Sequence, residues 1–270
     1  VGGGAAGPTA AGAAPAPVPA PAGPPRAFGP LVRVTVRGLL GRRRSLGVVL
    51  LAAAPVLVAL ILAVGGGLGD PETLAREVFT TLTLGLVIPL AALILGTAAI
   101  GTEIDDGTVV YLLVKPVPRR TVIVAKMLVA VAATVAVTLP AALLAGLLVL
   151  GTSAPGLLAG MAAGTLLAAV VYTEVFVTLS VFTGRALLAG LGYVLVWEGL
   201  VTTLLTGTRI LSIREYALAV VEAFAGPITL PGRESGVELT VALILSAIVL
   251  TLSFVLGAWR LGRFEVTDTG

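Results

Sequence analysis

Residues 78–100 read VFTTLTLGLVIPLAALILGTAAI, a run with no charged side chain. As a helix rising 1.5 Å per residue it is long enough to cross a hydrocarbon layer about 30 Å thick. LGVVLLAAAPVLVALILAV (46–64) is equally free of charge. Four more stretches, at about 122–150, 156–182, 186–206 and 238–258, have the same character, with Lys126, Glu174 and Glu198 as isolated charges inside three of them. The chain is 57% hydrophobic and 11% charged, with a mean hydropathy of +1.10. A water-soluble helical protein would need a larger polar shell than that to cover helices of this length. The fold class expected is therefore all-α integral membrane, with six transmembrane helices.

Basic residues between the spans set the expected orientation, because Lys and Arg are retained on the cytoplasmic side. One side collects Arg26, Arg33, Arg37, Arg42, Arg43, Arg44, Lys115, Arg119, Arg120, Lys126, Arg185, Arg260 and Arg263. The other has only Arg76, Arg209, Arg214 and Arg233, among Asp70, Glu72, Glu77, Glu215, Glu222, Glu234 and Glu238. Both termini are expected in the cytoplasm of a multi-pass cell-membrane protein. The sequence pI of about 9.7 then reflects topology, and no nucleic-acid partner is implied.

Residues 1–27 are almost entirely Gly, Ala, Pro and Val, a composition that buries too little side chain to offset ordering entropy. They are expected to form a disordered cytoplasmic tail, followed by a six-span domain over 28–264 and a short tail over 265–270. In FGPLVRVTVRGLLGRRR (28–44), Val32, Val36, Leu39 and Leu40 share one helical face and Arg33 and Arg37 another. An interfacial helix on anionic headgroups is expected there. A short strand also fits the alternation, but beside a membrane it would leave its backbone unpaired.

The absences narrow the chemistry. With no His and no Cys, imidazole catalysis, thiolate nucleophiles, disulfides and the usual zinc sites are excluded, and no metal site is expected. Neither Lys115 nor Lys126 follows a glycine, so there is no GxxxxGK[ST] phosphate loop. The chain is not expected to be an enzyme or to bind a cofactor itself; any energy from ATP must come through a partner.

Between the second and third spans lies GTEIDDGTVVYLLVKPVPRRTVIVAK (101–126), where the charges concentrate. Glu103, Asp105 and Asp106 suit the positive end of a short helix, and Val109, Val110, Leu112 and Leu113 form its apolar edge. Pro116 and Pro118 stop it, and Arg119, Arg120 and Lys126 mark the membrane boundary. A short helix held at a fixed angle by two spans is a rigid knob for a groove on a soluble protein; an ordinary interfacial turn is the plainer reading.

Glu103, Gly107, Thr108, Leu112, Leu113, Pro116, Arg119, Arg120 and Lys126 resemble the ExxxGTxxxLLxxPxxRRxxxxxK pattern that follows the second span of type-2 ABC exporter permeases. Residues 28–264 are similar to that family in span count, basic N-terminal helix and long segment before span six. The departures are Pro118 and the tail over 1–27. The resemblance implies a permease subunit of an ATP-driven ABC exporter that pairs with a second permease subunit, as a homo- or heterodimer. It also implies a cytoplasmic coupling helix between spans two and three on which an ABC ATPase subunit docks, ATP and Mg being bound by that partner. A proton-coupled transporter using Glu174 and Glu198, or a membrane scaffold without transport, are the alternatives. The first calls for an internal repeat between the two halves, and none is visible in the sequence.

Glu174 and Glu198 lie inside spans, where a charge costs at least about 2.5 kcal/mol. Each either lines a polar pathway or is a hydrogen-bonded packing element. Gly156, Gly160 and Gly164 form a small-residue ridge suited to close helix contact, and Pro55, Pro89 and Pro140 are expected to kink their spans. In 207–236, Ser212 and Glu215 make a capping box. Ile213, Tyr216, Val220, Val221 and Phe224 recur at helical spacing until Gly226-Pro227. An external amphipathic helix is expected there, lying on the outer surface or re-entering it.

Overall fold

The computed structural model describes residues 42–65, 69–105, 119–228 and 236–262. These residues form helices joined by turns, with no strand among them. Helix α1 is Arg42–Val64. Helix α2 is continuous through Pro71–Val78, a π-helical stretch Phe79–Val87, and Ile88–Asp105. Then come α3 (Arg119–Leu150), α4 (Pro155–Phe182) and α5, which is assembled from Ala186–Gly192, a second π-helical stretch Tyr193–Val201, and Thr202–Leu204. A 3-10 turn, Thr206–Leu211, leads into α6 (Ile213–Ala225), and α7 is Leu239–Gly262.

Five stretches are long and apolar enough to cross a membrane: Leu46–Val64, Pro71–Ile100, Ile123–Leu150, Pro155–Phe182 and Leu239–Arg260. The sixth expected span, 186–206, is not a helix of that kind. Its apolar helical run covers only Ala186–Val201 before Leu205 turns extended (φ −113°, ψ 94°) and the chain doubles back. Span two is longer than the apolar run suggested. Asp70 caps it, Oδ2 accepting from the Thr73 N–H and from Thr73 Oγ1, both at 2.9 Å, and Pro71 supplies a favoured first residue. Glu72, Arg76 and Glu77, assigned to a loop by their charge, lie in its first turns.

Helix α4 is the centre of the bundle and packs against α2, α3, α5, α6 and α7. Leu84, Ile88, Ala92 and Leu93 of α2 meet Ala168, Ala169, Tyr172 and Phe176 of α4, with Ala217 and Val221 of α6 closing the core. Threonines bridge parts of this apolar interior, while Thr83 Oγ1, Thr165 Oγ1 and Ser246 Oγ are buried in it without a hydrogen-bond partner. Thr134 and Thr138 return their hydroxyls to carbonyls four residues back, Thr173 Oγ1 bonds Thr134 Oγ1 at 3.0 Å across α3 and α4, and Thr178 Oγ1 donates to Ser253 O at 2.8 Å across α4 and α7. Pro55 and Pro140 sit within α1 and α3. Pro89 follows the first π-helical stretch by two residues, where the wider winding relieves its missing N–H and the crowding at the Gly85 carbonyl.

Helix α6 runs antiparallel along α4. A Cβ on Gly156 would lie 2.8 Å from Phe224 O, one on Gly160 2.9 Å from Val221 O, and one on Gly164 3.0 Å from Ala217 O. The glycine ridge thus brings the α6 backbone into contact with that of α4, which no side chain would permit. Gly164 is nine residues into α4 and Ile213 a further turn along α6. At 1.5 Å per residue, the start of α6 therefore lies roughly 20 Å below the first residue of α4. Buried on most sides, α6 is a re-entrant element of the bundle, not a helix lying flat on its surface. Gly226, at φ +74°, a value open to glycine, ends it.

Candidate functional site

Of the loop pattern, Glu103 and Asp105 fall in the last turn of α2, and Arg119 and Arg120 open α3. Asp106, Gly107, Thr108, Leu112, Leu113 and Pro116 lie outside the described residues, as do Arg33 and Arg37 of the expected interfacial helix. The stems of the loop are packed against each other. Lys126, 2% exposed, donates from Nζ to Ala99 O at 2.8 Å, and Ala99, Ile100, Ile123, Met127 and Ala130 form an apolar cluster with Val177 and Val181 of α4.

The two intramembrane acids part company. Tyr172 and Glu174 stand two positions apart on α4, about 200° around a helix, and it is Tyr172 that neighbours Glu198. Glu174 is half-buried on the exposed stripe that carries Leu166 and Phe182, and makes no hydrogen bond among the described residues. Nothing in this arrangement joins Glu174 to Glu198 in one polar chain.

Glu198 is 3% exposed, on the second π-helical stretch, and its carboxylate is the hub of a buried polar cluster. Oε1 accepts from the Ile213 N–H at 2.9 Å and from Tyr193 Oη at 3.1 Å; Oε2 accepts from Ser212 Oγ at 2.5 Å. Ser212 Oγ in turn accepts from the Glu215 N–H at 3.3 Å, the bond expected of the cap. Around this hub Thr202 Oγ1 donates to the Glu198 carbonyl at 2.8 Å, Tyr216 Oη to Ile210 O at 2.7 Å, and Trp197 Nε1 to Leu211 O at 3.4 Å. A carboxylate at the first N–H of α6 complements the positive end of that helix. At the other end Arg76 Nη2 donates to Ala225 O at 2.9 Å, so a cation from α2 complements the negative end. Both termini of α6 are held by charges from neighbouring helices.

Sequence reasoning found Glu198 and Ser212 but did not connect them, and it placed Arg76 and Arg214 in outer loops. The signal available was the cost of Glu198 itself: an acid inside an apolar helix must find donors, and a capped helix start such as that at Ser212 offers several.

Five apolar helices, each long enough to cross a membrane and packed around a core bridged by threonines, define a multi-pass helical membrane protein. A family model described as ABC-2 family transporter protein matches residues 41–222. The chain belongs to this family of transporters. Comparison with curated proteins gives no match.

Proposed function

We propose that the chain is the transmembrane permease subunit of an ATP-driven exporter. It forms the translocation pathway with a second permease subunit and takes its energy from a separate ABC ATPase. Both termini and the 101–126 loop are cytoplasmic, and the loop is the coupling element, entered from Glu103 in the last turn of α2 and with Gly107 at the start of its own helix. The observation that carries this reading is that the ABC-2 match over 41–222 includes the ExxxGTxxxLLxxPxxRRxxxxxK pattern at 103–126, between the packed stems of α2 and α3. The chain binds no nucleotide of its own; ATP and Mg are held by the partner.

Gly107→Val distorts the loop backbone, and Glu103→Lys inverts the local charge, while neither touches the interior of a span. Both variants insert normally and lose co-purification of the partner ABC ATPase, along with ATP-dependent substrate movement. Wild-type levels of both in the two variants sink the coupling assignment.

A further inference from the structure

Arg214 stands at the wrong end of a helix for its charge. It occupies the first turn of α6, where the macrodipole is positive, roughly 20 Å along α4 and within the bundle. A guanidinium cannot discharge to escape such a setting. Its Nε is buried without a hydrogen-bond partner, and among the described residues no carboxylate forms an ion pair with it. Glu198, which shares its surroundings, spends both oxygens on Tyr193, Ser212 and Ile213. A second polar group lies beside them: Tyr172 is fully buried, its hydroxyl facing Glu198 without a well-formed hydrogen bond. An unpaired cation inside a membrane protein signals a ligand whose charge it meets.

The surroundings indicate which ligand. The guanidinium rests on bare backbone of α2, where a Cβ on Gly85 would lie 3.8 Å from Cζ and 3.9 Å from Nη1. Gly85 belongs to one π-helical stretch, and Tyr193 and Glu198 to the other; such windings recur at functional sites. Gly85 and Arg214 are each partly exposed and Thr81, one turn from Gly85, is exposed, on a bundle whose outer face is largely apolar, with Leu195, Val196 and Leu200 of α5 each more than half exposed. A single cation opening onto an apolar face matches an acidic head on a hydrocarbon body.

We propose that Arg214 is the recognition residue for cargo, and that the cargo is an amphipathic anion, a carboxylate or phosphate on an apolar tail. The proposal rests on the exporter reading for the word cargo, and on Arg214, Gly85 and Tyr172 for the site.

Trp197, tied to the turn before α6, is a built-in reporter. The test uses the full chain with Trp259→Phe in phosphatidylcholine nanodiscs, titrated with decanoate, decyl phosphate and decyltrimethylammonium while Trp197 emission is read. Both anions give saturable changes and the cation gives none. Arg214→Gln raises the anion Kd at least tenfold and Arg214→Lys only a few-fold. Gly85→Leu, which keeps the cation but covers it, matches Arg214→Gln and stands in should that variant fail to fold. No saturable response, an equal response to the cation, or unchanged affinity in Gly85→Leu and whichever Arg214 variants fold overturns the proposal. Nanodiscs containing phosphatidylglycerol leave the Kd unchanged; competition there assigns the site to a lipid headgroup and overturns the cargo role. The binding readout needs no ATPase, so anion binding without any ATP-driven movement defeats the exporter reading alone, and ATP-driven movement with no anion binding defeats this proposal alone.

Discussion

Glu198 and Ile213, fifteen residues apart in the chain, are joined by a 2.9 Å hydrogen bond in which an acid of α5 caps α6. The carboxylate meets three donors at once, and that demand defines its substitutions. Glu198→Gln keeps one acceptor but turns an amide N–H₂ toward groups that themselves donate, so it folds with a stability loss of about 1–3 kcal/mol. Glu198→Ala strands the Ile213 N–H and two hydroxyls and loses more. Denaturant titration in detergent reads both. Wild-type stability in Glu198→Ala contradicts the capping role.

The approach of α6 to α4 depends on glycine at three successive turns. A Cβ on Gly164 would come within 2.7 Å of Val221 Cγ2 and 3.0 Å of Ala217 O, and one on Gly160 within 2.9 Å of Val221 O. The last two contacts are with backbone, which cannot turn aside as a side chain can. Gly160→Ala and Gly164→Ala therefore each displace α6, at a cost of about 1–3 kcal/mol, with faster amide exchange in 213–225. Gly199→Ala serves as the control, because its Cβ would meet nothing nearer than Val194 O at 3.6 Å. Equal exchange in all three variants contradicts the seating of α6 on the ridge.

Asp70 supplies a pH-dependent lock on the start of α2. The Thr73 N–H, followed by the Thr73 hydroxyl, holds its carboxyl below the ordinary aspartate value. Because the folded pKa is the lower one, the cap is fully present above the unfolded value near 4 and is lost as pH falls through the folded one. Amides at 73–76 exchange faster in Asp70→Ala than in wild type at neutral pH, and the two converge in acid once intrinsic exchange is corrected. A difference that persists unchanged below pH 2 removes the carboxylate from the explanation.

How much of this was legible in the sequence follows from what each feature needs. Helices α1, α3, α4 and α7 are built on long apolar runs with at most one charge inside each span, and in lipid such a run has no alternative to helix. The stretch 186–206 is equally apolar, yet it breaks at Leu205 because the returning chain places the Ile213 N–H on Glu198, a pairing that hydropathy does not encode. Asp70-Pro71 was a readable helix start, but Glu72, Arg76 and Glu77 argued for a loop, and the partner of Arg76, Ala225 O, lies 149 residues away. The glycine ridge was visible as a ridge; that it receives α6 was not, since a stripe of small residues specifies closeness and not a partner. Arg214 looked like outer-loop charge because a sequence does not show depth.

Orientation is testable at two described, exposed turns on the same helix. Thr152 precedes α4 and Gly184 follows it, and the 28 residues between their ends span about 42 Å, more than the hydrocarbon layer. The two positions therefore face opposite sides of the membrane, whatever the fate of the broken segment after Gly184. The bias of basic residues puts Arg185 inside and the 151–154 turn outside. As the chain has no cysteine, Thr152→Cys and Gly184→Cys can be made singly and exposed to an impermeant maleimide in intact cells. Thr152→Cys labels at once, and Gly184→Cys labels only after the membrane is opened. The reverse order inverts the topology and moves the 101–126 loop away from any cytoplasmic ATPase; labelling of both in intact cells means that α4 does not span.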